Sequence, residues 1–550
     1  MKKKGPNFIE QIIDGDISRG FKKDDLRFRF PPEPNGYLHI GHLKAICLNF
    51  NLGEKYGAPV NLRFDDTNPE KEAKEYVDAI KNDILWLGYK WNKECYASDY
   101  FEQLYNWALV LIEKDLAYID SQSSEDIANQ KGTPTKEGKA SPHRDRDKEE
   151  SLKVFKEMYN GEHKQGEHVL RAKINMSSPN MLMRDPVIYR VMDSNHHRTG
   201  DRWKIYPMYD WTHGESDYIE QVSHSLCTLE FEPHRELYDW FLDSISPLEG
   251  IRPKQREFSR LNLSYTITSK RNLAKLVEEG FVDGWDDPRM PTISGLRNRG
   301  YTPESLKSFA LTVGISKREN VIDVSLLEFC VRTHLNEEAP RAMAVLDPLK
   351  ISIINYKENK EESVNFDINP QKPGQGKREV LFSKNIYIER EDFQENPEEG
   401  FFRLSLGEEV RLKNAYIIKA KNIIKNEKGQ ITEVECEYDE KSKSGTNTEE
   451  SNRKVKATIH WVSAETAVEA TINIYDRLFK VAEPGKSQDL LSEVNENSLE
   501  IKSAKVEPYL ASAKDGDHFQ FQRLGYFVRT NNKKTLEFNK TVGLRDGWKK

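Results

Sequence analysis

The sequence predicts a multidomain fold of α/β plus β class: a nucleotide-binding sheet interrupted by an insertion, then a helical region, then a β-rich half. Three observations predict it. From Leu26 to Gly88 apolar runs alternate between strand and helix spacing, the β-α-β-α rhythm of an open sheet. Between about residue 100 and residue 209 that rhythm gives way to polar, turn-rich segments. Beyond Ala339 short alternating apolar runs lie between turn residues, as in barrels or a sandwich.

The first element is the alternating run Leu26-Arg27-Phe28-Arg29-Phe30, which reads as a strand. Pro31-Pro32-Glu33-Pro34-Asn35-Gly36-Tyr37-Leu38-His39-Ile40-Gly41-His42 follows, and then Leu43, Ala45, Ile46, Leu48 and Phe50 at helical spacing. Val60-Asn61-Leu62-Arg63-Phe64 is a second strand, ending in Asp65-Asp66-Thr67-Asn68-Pro69. Acidic residues at the carboxyl end of a parallel strand stand where open α/β sheets bind ligands. Ile80, Ile84, Leu85 and Leu87 give the next helix its apolar face, closed by Gly88. Gly132-Thr133-Pro134-Thr135-Lys136 and Ser141-Pro142-His143-Arg144 typify the insertion. The sheet is expected to resume near Tyr206-Pro207-Met208-Tyr209-Asp210-Trp211, carry His224 to Phe231, and continue to about Leu261. Helices broken by Gly280, Gly284, Pro288, Pro291 and Gly295 occupy 262–338. Past Ala339, runs such as Ile386-Tyr387-Ile388 and Tyr416-Ile417-Ile418 are strands, and 356–363 and 439–456 are hairpin tips or loops. No internal repeat is visible.

The block at Pro31 carries the chemistry. Three prolines and Gly36 fix a bend, and His39 and His42, three apart, share one face of the first helical turn. That turn presents backbone N–H groups and the positive end of the helix dipole, where phosphates bind. Gly41 leaves no side chain to obstruct a purine ring. The arrangement suits a nucleotide triphosphate.

This block resembles the HIGH signature of class I aminoacyl-tRNA synthetases, in the Pro-Pro-Glu-Pro-Asn-Gly form of the branch that holds glutaminyl and archaeal and eukaryotic glutamyl enzymes. Ile267-Thr268-Ser269-Lys270-Arg271 resembles the partner KMSKS loop, with Thr268 where Met is common. The resemblance to the glutaminyl branch extends over almost the whole chain, through Ala339 to Val345, His460-Trp461-Val462-Ser463-Ala464 and Thr541 to Asp546. It begins near Asn7-Phe8-Ile9, without the long leading segment of many eukaryotic relatives, so a bacterial-type enzyme is expected. It implies a Rossmann-type HIGH nucleotide-binding domain over 1–99 and 210–261, split by an acceptor-stem-binding insertion over 100–209. A helical subdomain over 262–338 opens with the KMSKS-like loop. A proximal anticodon-binding β-barrel is expected over 339–355 and 457–550, and a distal one over 356–456.

The resemblance also implies site residues. His39, His42 and Lys270 are the expected catalytic groups, stabilising charge on the triphosphate and the departing pyrophosphate. ATP is expected, as its Mg²⁺ complex, against Glu33, Pro34, Asn35, His39, Ile40, Gly41, His42, Leu43, Lys44, Ala45, Thr228, Arg260, Leu261, Thr268, Ser269 and Lys270. Glutamine is expected against Arg29, Asp65, Tyr209, Cys227 and Gln255. Asp65 matches the residue that meets the substrate ammonium, Tyr209 the one that addresses the side-chain amide, and Gln255 one that orders the pocket. Glutamyl enzymes generally place Arg where this chain has Cys227, and a small neutral residue removes that attraction for a carboxylate; Cys is equally what a buried apolar position would hold. Arg341, Arg403, Gln520 and Arg523 match anticodon-reading positions, and Gly400-Phe401-Phe402-Arg403 departs from relatives with polar or basic residues before the arginine. The implied activity is ATP-dependent attachment of L-glutamine to tRNA(Gln). The alternatives are a non-discriminating glutamyl enzyme of the same subclass, or a non-catalytic tRNA-binding paralogue with a damaged HIGH block or no Lys270.

Composition sets limits. Charged residues make up 31% of the 550, and the net charge is −7, so an RNA partner must meet local basic patches. Met1-Lys2-Lys3-Lys4 is read as a frayed end, because no apolar segment of a secretory signal follows. No apolar run approaches the roughly 18 residues that span a bilayer. The five cysteines (Cys47, Cys95, Cys227, Cys330, Cys436) are scattered and without a Cys-x-x-Cys pair, which predicts reduced thiols in the cytoplasm and no zinc site or disulfide framework. His196-His197 is read as structural, since adjacent side chains on a strand or helix point apart. No resident metal is expected, and the chain is expected to act as a monomer.

Overall fold

Strand Phe28–Phe30 runs parallel to Val60–Phe64, which runs parallel to Glu94–Tyr96, with Arg29 opposite Asn61 and Leu62 opposite Glu94. The computed structural model describes residues 5–245, 247–358, 360, 362–487 and 489–545; the expected frayed end at Met1–Lys4 and the phrase-ending Asp546 lie outside them. Two units divide the chain: Met1–Asn262 with Ala310–Ile322, and Leu263–Phe309 with Asp323–Lys550. Among the described residues no helix is long and apolar enough to cross a membrane.

In the first unit, Val60–Phe64 is buried along its whole length, as a parallel strand covered on both faces should be. Helix Ile40–Tyr56 makes the crossover and ends at Gly57, whose φ of +67° supplies the left-handed cap. Gly53 lets helix and sheet approach: a Cβ there would meet the carbonyl oxygen of Ala58 at 2.9 Å and would overlap Val60. The next helix is Lys74–Trp86. It buries Ile80 and Ile84, but Leu85 is 50% exposed and lies off the expected apolar face. His224–Thr228 runs parallel to Lys254–Phe258 and joins the first sheet where the Ser223 N–H donates to the Arg27 carbonyl.

The insertion is a four-stranded antiparallel sheet of Ala117–Asp120, Val169–Ala172, Val187–Val191 and Ile205–Pro207. Tyr206-Pro207 was expected to resume the parallel sheet; instead it is the last strand of this antiparallel one, with Tyr206 and Pro207 opposite Arg190 and Tyr189. Phe101, Phe155, Tyr189, Trp203 and Trp211 form the core beneath it. The polypeptide then turns directly into helix Tyr209–Ile219.

The second unit holds helices Lys270–Glu278, Ile293–Asn298 and Val324–Glu338; residues Ala310–Ile322, expected with the helical region, belong to the first unit. It also holds two seven-stranded sheets. In one, the outer strands Arg341–Ala342 and Ala344–Val345 are separated by Met343 alone. In the other, the outer strands Thr458–Ile459 and Val462–Ser463 are equally close in sequence. Each sheet therefore closes on itself into a barrel-like form, which removes its free edges. Strands Pro348–Ile353, Thr458–Ile459 and Val462–Ser463, expected in the proximal barrel, pair instead with the distal sheet. Alternating apolarity marks a strand but not its partner. The Arg378–Glu507 pair at 2.8 Å, buried on both sides, links strand Lys377–Phe382 to the end of strand Leu499–Val506.

Candidate functional site

His39 caps helix Ile40–Tyr56. Its Nδ1 accepts the Gly41 N–H at 3.1 Å, and its own N–H donates to Nδ1 of His42 at 3.1 Å. The rings lie 3.9 Å apart, centre to centre. A ring nitrogen that accepts must carry its lone pair, so both neutral imidazoles hold their proton on Nε2. The helix terminus thereby offers two fixed N–H donors beside its own amides, the arrangement an anion needs. Pro34 is buried and Asn35 donates to Glu33, which holds the preceding bend.

Not every expected nucleotide contact turns outward. Ile40 and Leu43 lie in the core, while Gly41, His42 and Ala45 are only partly covered. Lys44 is buried and donates from Nζ to Ser259 Oγ at 2.8 Å; burial pulls its pKa down to about 8. Lys44 thus ties the helix to the segment entering Arg260 and Leu261. Leu261 is buried, whereas Arg260 is exposed and faces Glu230 and Glu319. Thr228 ends its strand with a 2.7 Å bond to Glu230.

In the second unit Lys270 opens helix Lys270–Glu278, with Ser269 as its cap. Ile267 anchors the loop in a cluster with Leu273, Leu276, Leu478 and Phe479. Thr268 is only half-buried and Ser269 is exposed, so the loop packs without a methionine at 268.

Four of the five amino acid residues meet in one buried network. Arg29 donates from Nε to Asp217 at 2.9 Å and from Nη1 to the Leu226 carbonyl at 2.9 Å. Its Nη2 reaches Ser225 at 2.8 Å, Nε2 of His213 at 2.6 Å and Sγ of Cys227 at 3.7 Å. Arg63 donates to Asp65 at 2.9 Å, to Asp217 at 2.8 Å and to Glu220 at 3.1 Å. Tyr209 meets Nδ1 of His213 at 3.2 Å. Gln255 stands one strand over, opposite Ser225, and donates to Glu257 and the Phe231 carbonyl. The ring of Phe231 contacts Tyr209.

Charge in this network is set by burial and by the two arginines. Burial pushes the Asp217 carboxyl up, but the Arg29 and Arg63 guanidiniums more than offset it and hold it well below the carboxylate range. Burial raises Asp65 to about 6 against the pull of Arg63. Burial takes His213 down to about 3, so this ring is neutral: its Nε2 accepts from Arg29, and its Nδ1–H faces the Tyr209 oxygen. Tyr209 is left with its own proton and a second lone pair. Oδ2 of Asp65 and Oε1 of Gln255 are buried acceptors without a partner. Arg63, His213, Asp217, Glu220 and Ser225 escaped the sequence reading, although Tyr209, His213 and Asp217 fall at i, i+4 and i+8 on one helix.

Asp66, His196 and His197 offer ligand atoms within 4.8 Å of one another, and the two rings lie together, 4.7 Å between centres, not apart as adjacent side chains on a strand would. Nδ1 of His196 accepts from the N–H groups of Arg198 and Thr199. Its proton therefore sits on Nε2 and is donated to the Asp66 carbonyl at 2.9 Å. That ring has no lone pair left for a cation.

Of the residues expected at RNA, Arg341 is 5% exposed and engaged by the Ala339 and Asn336 carbonyls. Gln520 lies beside Tyr526. Arg523 and Arg403 share the buried Asp392.

The model for tRNA synthetases class I (E and Q), catalytic domain, matches residues 25–337. Two models for the anti-codon binding domain of the same class match 339–439 and 458–530. The glutamine–tRNA ligase of Vibrio vulnificus is 53% identical over 548 residues, 99% of this chain and 98% of that protein. Those of Aliivibrio fischeri (52% over 546 residues, 98% of each chain) and Cronobacter sakazakii (52% over 548 residues, 99% and 98%) are similar to it at the same level.

Proposed function

The chain belongs to the class I (E and Q) tRNA synthetases; it is a ligase that attaches glutamine to tRNA, and we propose that it does so through a glutaminyl-adenylate formed in the network around Arg29 and Asp65. The carboxylate of L-glutamine attacks the α-phosphate of ATP, taken up as its Mg²⁺ complex, and pyrophosphate leaves. The 2′-hydroxyl of the terminal adenosine of tRNA(Gln) then attacks the adenylate carbonyl and releases AMP.

Each residue has a role in this reading. His39 and His42 donate from Nε2 to the triphosphate at the helix terminus, and Lys270 neutralises charge on the departing pyrophosphate. Glu33 to Asn35, Gly41, Ala45, Thr228 and Arg260 frame the nucleotide. Leu43, Lys44 and Leu261 hold that frame from behind. The orphaned Oδ2 of Asp65 accepts from the substrate ammonium. Catalysis then rests on positioning and charge, without a covalent enzyme intermediate.

One observation carries the choice of glutamine. Arg29 and Arg63 face Asp65, Asp217 and Glu220, and His213 is neutral. Two guanidiniums against three carboxylates leave one negative charge, which attracts the substrate ammonium and disfavours any further carboxylate on the side chain. A side-chain carboxylate would enter with no cation to meet it, whereas an amide is matched by the Tyr209 hydroxyl and Cys227. Sites built on such hydrogen bonds reject an unmatched analogue by large factors. The barrel-like sheets meet the anticodon and the inserted sheet the acceptor stem. Five free cysteines, all buried, suit a reducing cytoplasm.

The test is charging of tRNA with labelled glutamine against labelled glutamate, with ATP and Mg²⁺. Glutamine is esterified in preference to glutamate; esterification of glutamate at an equal rate refutes the charge argument.

A further inference from the structure

Phe402 is the most exposed large apolar side chain among the described residues, at 67%. It does not dangle from a loose loop. The Phe401 N–H donates to the Glu398 carbonyl at 3.1 Å, the Glu398 N–H donates to Gln394, and Gly400 turns the chain at φ +90°. The next residue, Arg403, is fastened to Asp392 at 3.2 Å. Asp392 is fully buried and also takes both terminal nitrogens of Arg523, at 2.6 and 2.7 Å. A hydrogen-bonded turn thus presents a ring to water, one residue before an arginine that is held on the same carboxylate as Arg523.

We propose that Phe402 is a stacking platform for one unpaired base of the tRNA anticodon loop, with Arg403 and Arg523 addressing the edge of that base or its neighbour. This rests on the reading that the barrel-like sheets meet the anticodon. Single-stranded RNA is recognised by splayed bases that stack on aromatic rings and bond to arginine. Phosphate is a poor match for this spot, because Glu398 and Glu399 lie in the same turn; an uncharged π-face is what the turn offers. The ring adds nothing to the core, so its truncation costs little stability.

The test is steady-state charging by the full chain as wild type, Phe402→Ala, Phe402→Leu and Phe402→Trp. Each is assayed with the parent tRNA and with transcripts made abasic at one anticodon-loop nucleotide at a time. Stacking on a base is worth roughly 1–3 kcal/mol, so Phe402→Ala lowers kcat/KM for tRNA about 5- to 150-fold. Phe402→Trp retains activity, Phe402→Leu does not, and the loss vanishes for one abasic position alone. A loss under twofold in Phe402→Ala, or full activity in Phe402→Leu, overturns the proposal. If wild type is itself indifferent to every abasic transcript, the underlying anticodon reading fails instead.

Discussion

The Nε of Arg63 donates to Oδ1 of Asp65 at 2.9 Å, with both side chains buried. This bond orients the carboxylate whose second oxygen has no partner, and it opposes the burial that lifts the Asp65 pKa to about 6. Asp65 can accept from an ammonium only when ionised. The value of kcat/KM for glutamine therefore falls as pH drops through about 6. In Arg63→Gln, with its stabilising charge gone, that acid limb moves to higher pH and KM for glutamine rises. An unmoved limb in a variant that still folds by circular dichroism would remove Asp65 from this role.

Asp217 binds Arg29 and Arg63 together. Asp217→Asn leaves two buried guanidiniums short of a counter-charge, and breaking a buried pair in this way costs about 3–5 kcal/mol. Urea unfolding followed by tryptophan fluorescence reads this directly. A shift below about 1 kcal/mol would mean that Glu220 and Asp65 suffice to neutralise both arginines.

Lys270→Ala removes the cation proposed to meet the leaving pyrophosphate. Loss of one such stabilising group costs roughly 10²–10³ in kcat, read as tRNA-dependent charging at saturating ATP. Lys270→Arg recovers part of it if charge is the property that matters. A rate unchanged in the alanine variant excludes the residue.

Three buried imidazoles make the chain acid-sensitive. Burial takes His213 down to about 3, and His196 and His224 to about 4, the last offset in part by Asp16. Unfolded histidine titrates near 6.5, so below that pH the unfolded chain takes up protons that the folded chain refuses. The stability tied to these rings is complete above about pH 6.5 and is lost as pH falls toward about 4. The slope is about 1.4 kcal/mol per pH unit for each ring. Chemical denaturation across that range gives the slope, and His196→Gln flattens it by about one ring's share.

What the sequence could encode locally it did. The cap at His39, the i,i+3 meeting with His42 and the strand–turn–helix passage from Phe28 to Tyr56 depend on residues within a turn or two, and all are present in the fold. The family signatures added the substrate. Strand alternation likewise marked Ile386-Tyr387-Ile388 and Tyr416-Ile417-Ile418, but it could not say which sheet Pro348–Ile353 and Val462–Ser463 would join, because period-two spacing is identical in either barrel. Tertiary structure alone decided the rest. Arg29 and Asp217 are 188 positions apart, and no local rule pairs them. The neutral state of His213, the burial of Arg341 and the turning of Lys44 toward Ser259 follow from what packs around each group. Charge and hydrogen bonding in a dry interior depend on neighbours brought from distant parts of the chain, and those neighbours exist only once the chain has folded.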